Sequence, residues 1–239
     1  MRSKNELIDD HFFRPRWYSI FINPYFIDRF TLFKAIKKFS KKIKSENYIL
    51  DVGCGKKPYK KYFKTDHYFG IEIDFGGHAN HAKEADAFYD GKNIPFDNES
   101  FDYILSTQVL EHVENPNYLV REMFRVLKIN GEVLVTIPFV CNEHEQPFDF
   151  WRFTQFGCKK IMEEAGFKEI NITPTCGIFS VVGQLFSSAL FENLKIGSFL
   201  KILLTIFIIT PIQSLSLFFD FIIRNRRLTL NYIIIAKKI

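Results

Sequence analysis

The chain has 239 residues, 47% of them hydrophobic and 25% charged. This suits one ordinary globular domain with an appendage, and excludes disordered, collagen-like and disulfide-scaffold classes. The formal net charge of +5 is too small to imply nucleic-acid binding.

The 28 phenylalanines stand out, because so many large apolar rings need an extensive dry surface, part of which a membrane can supply. The cysteines Cys54, Cys141, Cys158 and Cys176 form no C-x-x-C pair, which predicts a reduced, cytoplasmic chain. Cys141 and His144 have metal-ligand spacing, but no second pair completes a zinc site, so no metal is expected. The opening MRSKNELIDDHFF is acidic where a signal peptide is apolar, so export by that route is not predicted.

In chain order, IDRFTLFKAIKKFSKKIK (27–44) places Phe30, Phe33, Ile36, Phe39 and Ile43 at helical spacing, with lysines on the other side. A helix packed against a sheet is expected, with a membrane-surface helix as the alternative. NYILDV (47–52), HYFGIEID (67–74), DAFYD (86–90) and FDYILST (101–107) read as four strands. A helix is expected over 115–128, ended by Asn130-Gly131, before the strand EVLVTIP (132–138). A further helix over 154–165 stops at Gly166, and KEINITP (168–174) and NYIIIAKK (231–238) complete the strands. Strands alternating with helices predict a mostly parallel sheet covered on both faces.

The loop ILDVGCGKKPY (49–59) follows the first strand, and Gly53 and Gly55 permit a tight turn with close ligand approach. A following helix is expected to aim its N–H groups at that ligand. Pro58 stands where a third glycine of a pyrophosphate-binding loop would be, which argues against a dinucleotide. Glu72 and Asp74 end the second strand on one face, and either can accept ribose hydroxyls.

Taken together, LDVGCG, GIEID, DGKNIPFDNESFDYILSTQVLEHV and REMFRVLKINGEVLVTIP resemble the class I S-adenosylmethionine-dependent methyltransferases, in the branch with the type 11 domain. The resemblance covers 47–175 plus the last strand, and KING (128–131) departs from the usual K-P-G-G. It implies a Rossmann-like three-layer α/β sandwich with a seven-stranded, mostly parallel sheet and a reversed last strand. It also implies S-adenosylmethionine as cofactor. By position, Asp51 with Gly53, Cys54 and Gly55 would hold its methionine end, and Glu72 its ribose. Asp90 beside Gly91 would take the adenine amino group, and Thr107 and Gln108 would line the cleft. The expected organisation is an N-terminal helical extension (1–46), a cofactor-binding core (47–175), an apolar helical insertion (176–228) and a returning strand (229–239).

PFVCNEHEQPFDFWRFT (138–154) follows the fifth strand, where the ligand crevice of such sheets lies. It resembles a signature of methyltransferases of bacterial cell-surface polysaccharide clusters, which implies a small or lipid-linked glycan as acceptor. His144 is the candidate base, Asp149 its orienting acid, and Arg152 a binder of acceptor anions. A self-paired polar loop with Arg152 bridging Asp149 is the plainer alternative. Glu111-His112, after the fourth strand, either closes the cofactor pocket, lines the acceptor site or is structural.

ILLTIFIITPIQSLSLFF (202–219) carries no charge and reaches the lower limit for a membrane span. Because the last strand must rejoin the sheet, a single crossing is excluded, and a hairpin bent near Pro211 is expected. Basic residues flank it, so peripheral contact through 197–227 with the inner face of the cytoplasmic membrane is predicted. A homodimer interface or an extra helical layer is the alternative. The rivals in function are a non-catalytic adaptor and a methyltransferase for another lipid or quinone. Nucleic acid is not an expected partner.

Overall fold

The computed structural model describes residues 11–73 and 84–239. The described residues divide into two compact units, one of 36–73 and 84–173 with 232–239 and one of 11–35 with 174–231.

The first unit holds β1 (Ile49–Val52), β2 (Tyr68–Ile73), β3 (Ala87–Tyr89), β4 (Phe101–Thr107) and β5 (Leu127–Pro138). With β6 (Lys168–Pro174) and β7 (Asn231–Lys237) they form a seven-stranded sheet in the order β3-β2-β1-β4-β5-β7-β6. The pairs β1–β2, β1–β4, β2–β3 and β4–β5 are parallel. The strand β7 runs the other way. Its end bonds the start of β5 through Asn130 N–H to Lys238 O and Lys238 N–H to Gly131 O, while its Tyr232 stacks near Phe139 beyond the end of β5. This is the Rossmann-like sandwich expected from the sequence.

Helix α2 (Pro116–Val126) starts at Asn115, whose side chain accepts the Tyr118 N–H, with Pro116 at its first turn. It buries Leu119, Val120, Met123 and Val126 in the core, each worth about 1.5–3 kcal/mol. Helix α3 (Gln155–Ala165) adds Cys158, Ile161 and Met162, and ends at Gly166 with φ 107°.

Two expectations fail in this unit. Asn130-Gly131 does not end α2. The helix stops at Val126 and Leu127 already opens β5, because Leu127 is fully buried and pairs with Phe101, with an irregular register before Glu132 meets Tyr103. Nor does an α-helix follow the glycine loop, where only a three-residue 3₁₀ turn, Lys60–Tyr62, forms. Pro58 disfavours helical backbone at Lys57, which sits at φ 48°. No helix N-terminus is therefore aimed at a ligand there.

The second unit contains α4 (Ile178–Asn193) and a continuous helix from Ser198 to Ile223. Its parts are α5 (Ser198–Leu204), a π-helical turn (Thr205–Ile209) and α6 (Thr210–Ile223). The expected bend at Pro211 is thus corrected. The wide π turn takes up the missing proline N–H, and the Thr210 hydroxyl donates to Thr205 O at 2.8 Å. The hairpin instead turns between α4 and α5, and α1 (Phe26–Ser40) begins in this unit and ends in the other.

The polar residues of the apolar run have structural tasks. The Gln213 amide donates to Pro24 O at 2.6 Å, beside Gln184 on the same carbonyl at 2.8 Å. Ser216 lies against Gly183, where an added Cβ would sit 2.0 Å from its Oγ, so α4 and α6 approach closely. Asp220 accepts the N–H groups of Gly177, Phe179 and Ser180, capping α4 from the neighbouring helix.

Candidate active site

The carboxyl ends of β3, β2, β1 and β4 lie side by side and carry the candidate cofactor residues in one row. Val52 pairs with Ile71 and Ser106, and Glu72 with Phe88. Asp90 therefore follows β3, Glu72 ends β2, the 53–55 loop follows β1, and Thr107 and Gln108 close β4. Asp74 lies outside the described residues.

The glycines are conformational requirements. Gly53 has φ 71°, and a Cβ there would lie 2.4 Å from Val109 Cγ2. Gly55 has φ 51°, with nothing within 4 Å of its Cβ position. The loop hangs on β2, since Gly53 N–H and Cys54 N–H both donate to Ile71 O. Gly55 N–H donates to Glu72 Oε2 at 2.9 Å, while Glu72 Oε1 accepts from Ile73 N–H. Cys54 is buried, and that burial pushes its thiol up, so it packs and does not react.

Asp51 lies beneath the loop, buried, and accepts the Tyr68 hydroxyl at 2.5 Å. Burial pushes its carboxyl up to about 7, against the Tyr68 bond, which favours the charged form. Asp90 is exposed and accepts Lys92 N–H and Asn93 N–H, which lower its pKa, with Gly91 at φ 73° completing the turn. Gln108, at φ 56°, turns its amide onto Thr136 Oγ1 at 3.1 Å.

The 139–154 loop is tied to the 3₁₀ turn Leu110–His112. Phe150 and Trp151 N–H both donate to Glu111 O, and the Trp151 indole N–H to Val113 O. Arg152 grips Asp149 through two bonds of 2.6 Å and also donates to Trp151 O. That grip holds the Asp149 carboxyl down at about 2. Asp149 in turn accepts the His144 N–H at 3.0 Å, and its Oδ2 lies 3.3 Å from His144 Nδ1. Asp149 and His144 are thus brought together, while two of the Arg152 nitrogens are committed to the loop.

Sequence reasoning missed the joining of this loop to Glu111-His112. The His112 and His144 rings meet edge to face at 4.8 Å. One donor atom each from Glu111, His112 and His144 falls within 4.8 Å of the others. Glu111 is fully buried and its carboxyl is pushed up to about 8 by desolvation. Both residue pairs were visible in the sequence, but nothing there placed them side by side.

Known proteins share this architecture. A family model described as Methyltransferase domain matches residues 25–170. An uncharacterized protein of Methanocaldococcus jannaschii is 32% identical over an alignment of 123 positions that covers 47% of this chain and 59% of that protein. The chain spans 59% and 40% of the length of the two relatives it matches in that organism. Phosphoethanolamine N-methyltransferase 2 of Haemonchus contortus, solved with phosphomonomethylethanolamine and S-adenosylhomocysteine, aligns with TM-score 0.53 at 18% identity over 86% of this chain and 52% of that one. The cyclase SpnF aligns with TM-score 0.56 at 17% identity over 88% of this chain and 81% of that one. Likeness at this level speaks for the fold.

Proposed function

The chain belongs to the methyltransferase domain family, and we propose that it transfers a methyl group from S-adenosylmethionine to a hydroxyl of a small or lipid-linked glycan met at the cytoplasmic face of a membrane. The cofactor supplies a sulfonium-bound methyl group. The residues present fit it: open space faces Gly55, and carboxylates stand at the successive strand ends. Asp51 and the 53–55 loop are assigned to the methionine end, Glu72 to the ribose hydroxyls and Asp90 with Gly91 to the adenine amino group. Thr107 and Gln108 line the cleft.

The acceptor is placed at the 139–154 loop. His144 Nδ1 lies 3.2 Å from Asn142 O, and a carbonyl only accepts, so in the neutral ring that nitrogen carries the proton and Nε2 the lone pair. His144 is therefore assigned to the acceptor's proton. Asp149 orients it, and Arg152 positions Asp149.

The observation that carries the lipid part is the Ser198–Ile223 helix. An 18-residue stretch of it has a mean hydropathy of 2.1 and is only 28% buried, and Phe199, Phe207 and Phe221 are each 71% exposed. Apolar surface of this extent calls for a partner. The test is transfer of labelled methyl from S-adenosylmethionine to lipid-linked sugars in vesicles. Incorporation into the sugar supports the reading. Labelling of a quinone or fatty acid, with none in the sugar, overturns the glycan acceptor.

A further inference from the structure

The strongest unexplained feature is the cluster where the turn after β4 meets the loop after β5. His112 Nδ1 lies 2.9 Å from Phe148 O. That carbonyl only accepts, so Nδ1 donates, and in the neutral ring Nε2 holds the lone pair. Yet Nε2 faces Glu111 Oε1 at 3.7 Å and Glu145 Oε2 at 3.6 Å. Among the described residues, none donates a hydrogen bond from its side chain to either Glu111 oxygen, and His112 Nε2 has no hydrogen-bond partner. A ring nitrogen of His144, whose Nδ1–H is engaged with Asn142 O and Asp149, completes the group. With His112 neutral, lone pairs converge here with no side-chain donor between them, and one belongs to a carboxylate whose side chain has no exposure at all. Such an arrangement is costly without a positive charge at its centre.

We infer that Glu111, His112 and His144 bind a divalent transition-metal ion, with Glu145 beside them. Two imidazoles and a carboxylate suit an ion of the zinc class better than magnesium or calcium, which prefer all-oxygen sets. The donors lie within 4.8 Å of one another, and bonds of about 2.0–2.1 Å to one ion draw them to separations of about 3.3 Å. Ring rotation at His144, the most exposed of the three, supplies that movement. The outer contacts are in place, since Phe148 O fixes the His112 tautomer and Asp149 with Asn142 O fixes that of His144.

Three protein ligands leave a coordination position for an acceptor oxygen, which deepens the methyl-transfer reading and rests on it in that respect alone. In the metal-bound protein His144 serves as a ligand in place of its role as base, and the acceptor oxygen meets the ion, which lowers the hydroxyl's pKa so that its proton leaves to solvent. The competing occupant of the cluster is a proton shared by Glu111 and His112.

The test is calorimetric titration of chelator-stripped protein with Zn²⁺, with Mg²⁺ as the comparison and S-adenosylhomocysteine titrated into the same samples. One equivalent of Zn²⁺ is expected, bound at least tenfold more weakly by Glu111→Gln and by His144→Ala. The variant Cys141→Ser, which removes the exposed thiol, is expected to bind as the parent does. The thermal midpoint of each variant confirms that it is folded. Absent or non-stoichiometric Zn²⁺ binding, equal binding by folded Glu111→Gln and His144→Ala, or loss in Cys141→Ser overturns the metal site. If S-adenosylhomocysteine still binds in that case, the methyltransferase reading survives. Zn²⁺ binding with no S-adenosylhomocysteine binding supports the metal site and overturns the cofactor site instead.

Discussion

The Glu72 carboxylate accepts the Gly55 N–H at 2.9 Å and so ties the end of β2 to the loop after β1. The same carboxylate is assigned to the ribose, so one side chain both shapes the glycine loop and reads the ligand. A charge-assisted bond to backbone N–H is worth about 1.5–3 kcal/mol. Glu72→Ala should raise amide exchange at Gly55 roughly tenfold or more while leaving Leu50 and Ile104 protected. Hydrogen exchange by NMR checks this, and unchanged protection at Gly55 would show that the loop holds itself.

Asp51 predicts a pH dependence with a definite sign. Its folded carboxyl titrates near 7, against about 3.9 in an unfolded chain. Between those values the folded state keeps a proton that the unfolded chain has released, so stability falls as pH rises from about 4 to 7. The full loss is up to about 4 kcal/mol. Asp51→Asn should remove this share of the slope and leave that of Glu111, which paired denaturant melts at pH 4.5 and 7.5 would read. Parallel slopes would place the Asp51 pKa in the ordinary range. Cofactor affinity should rise from pH 6 to 8, because ionised Asp51 attracts an ammonium group.

The two loop glycines should respond differently to alanine. Gly55→Ala meets only the left-handed backbone, at a cost of about 1–2 kcal/mol. Gly53→Ala adds the collision with Val109, and overpacking of that kind costs about 1–3 kcal/mol more. Equilibrium unfolding should rank Gly53→Ala as the less stable. The reverse order would contradict the loop geometry.

For the apolar helix, a Phe207→Ser, Phe221→Ser double variant removes two rings that face solvent. Fold stability should change by less than about 0.5 kcal/mol per site, while partition onto anionic phospholipid vesicles should drop at least roughly tenfold. Vesicle co-sedimentation reads this directly. Equal partition of parent and variant would remove the membrane from the proposed function.

Most of the sheet was legible because its strands are short apolar runs between turn residues. FDYILST and KEINITP form β4 and β6 over the ranges expected. The failures were local conflicts settled by tertiary contacts. KING reads as a turn, yet burial of Leu127 and bonding to Lys238 carry it into β5. Pro211 reads as a bend, yet a π-helical turn absorbs it. At the site, the place of Glu72 at a strand tip followed from the strand pattern, while Asp51 and Asp90 came from the family resemblance. The meeting of His112 with His144 did not, because α2 and all of β5 lie between them in the chain.

The most direct measurement is calorimetric titration of the parent protein and of Glu72→Ala with S-adenosylhomocysteine. Saturable binding of one equivalent, weakened about 10- to 100-fold by the substitution, is the expected result. A folded parent that binds none, or a Glu72→Ala variant that binds equally well, would contradict a cofactor site at the ends of β1 and β2.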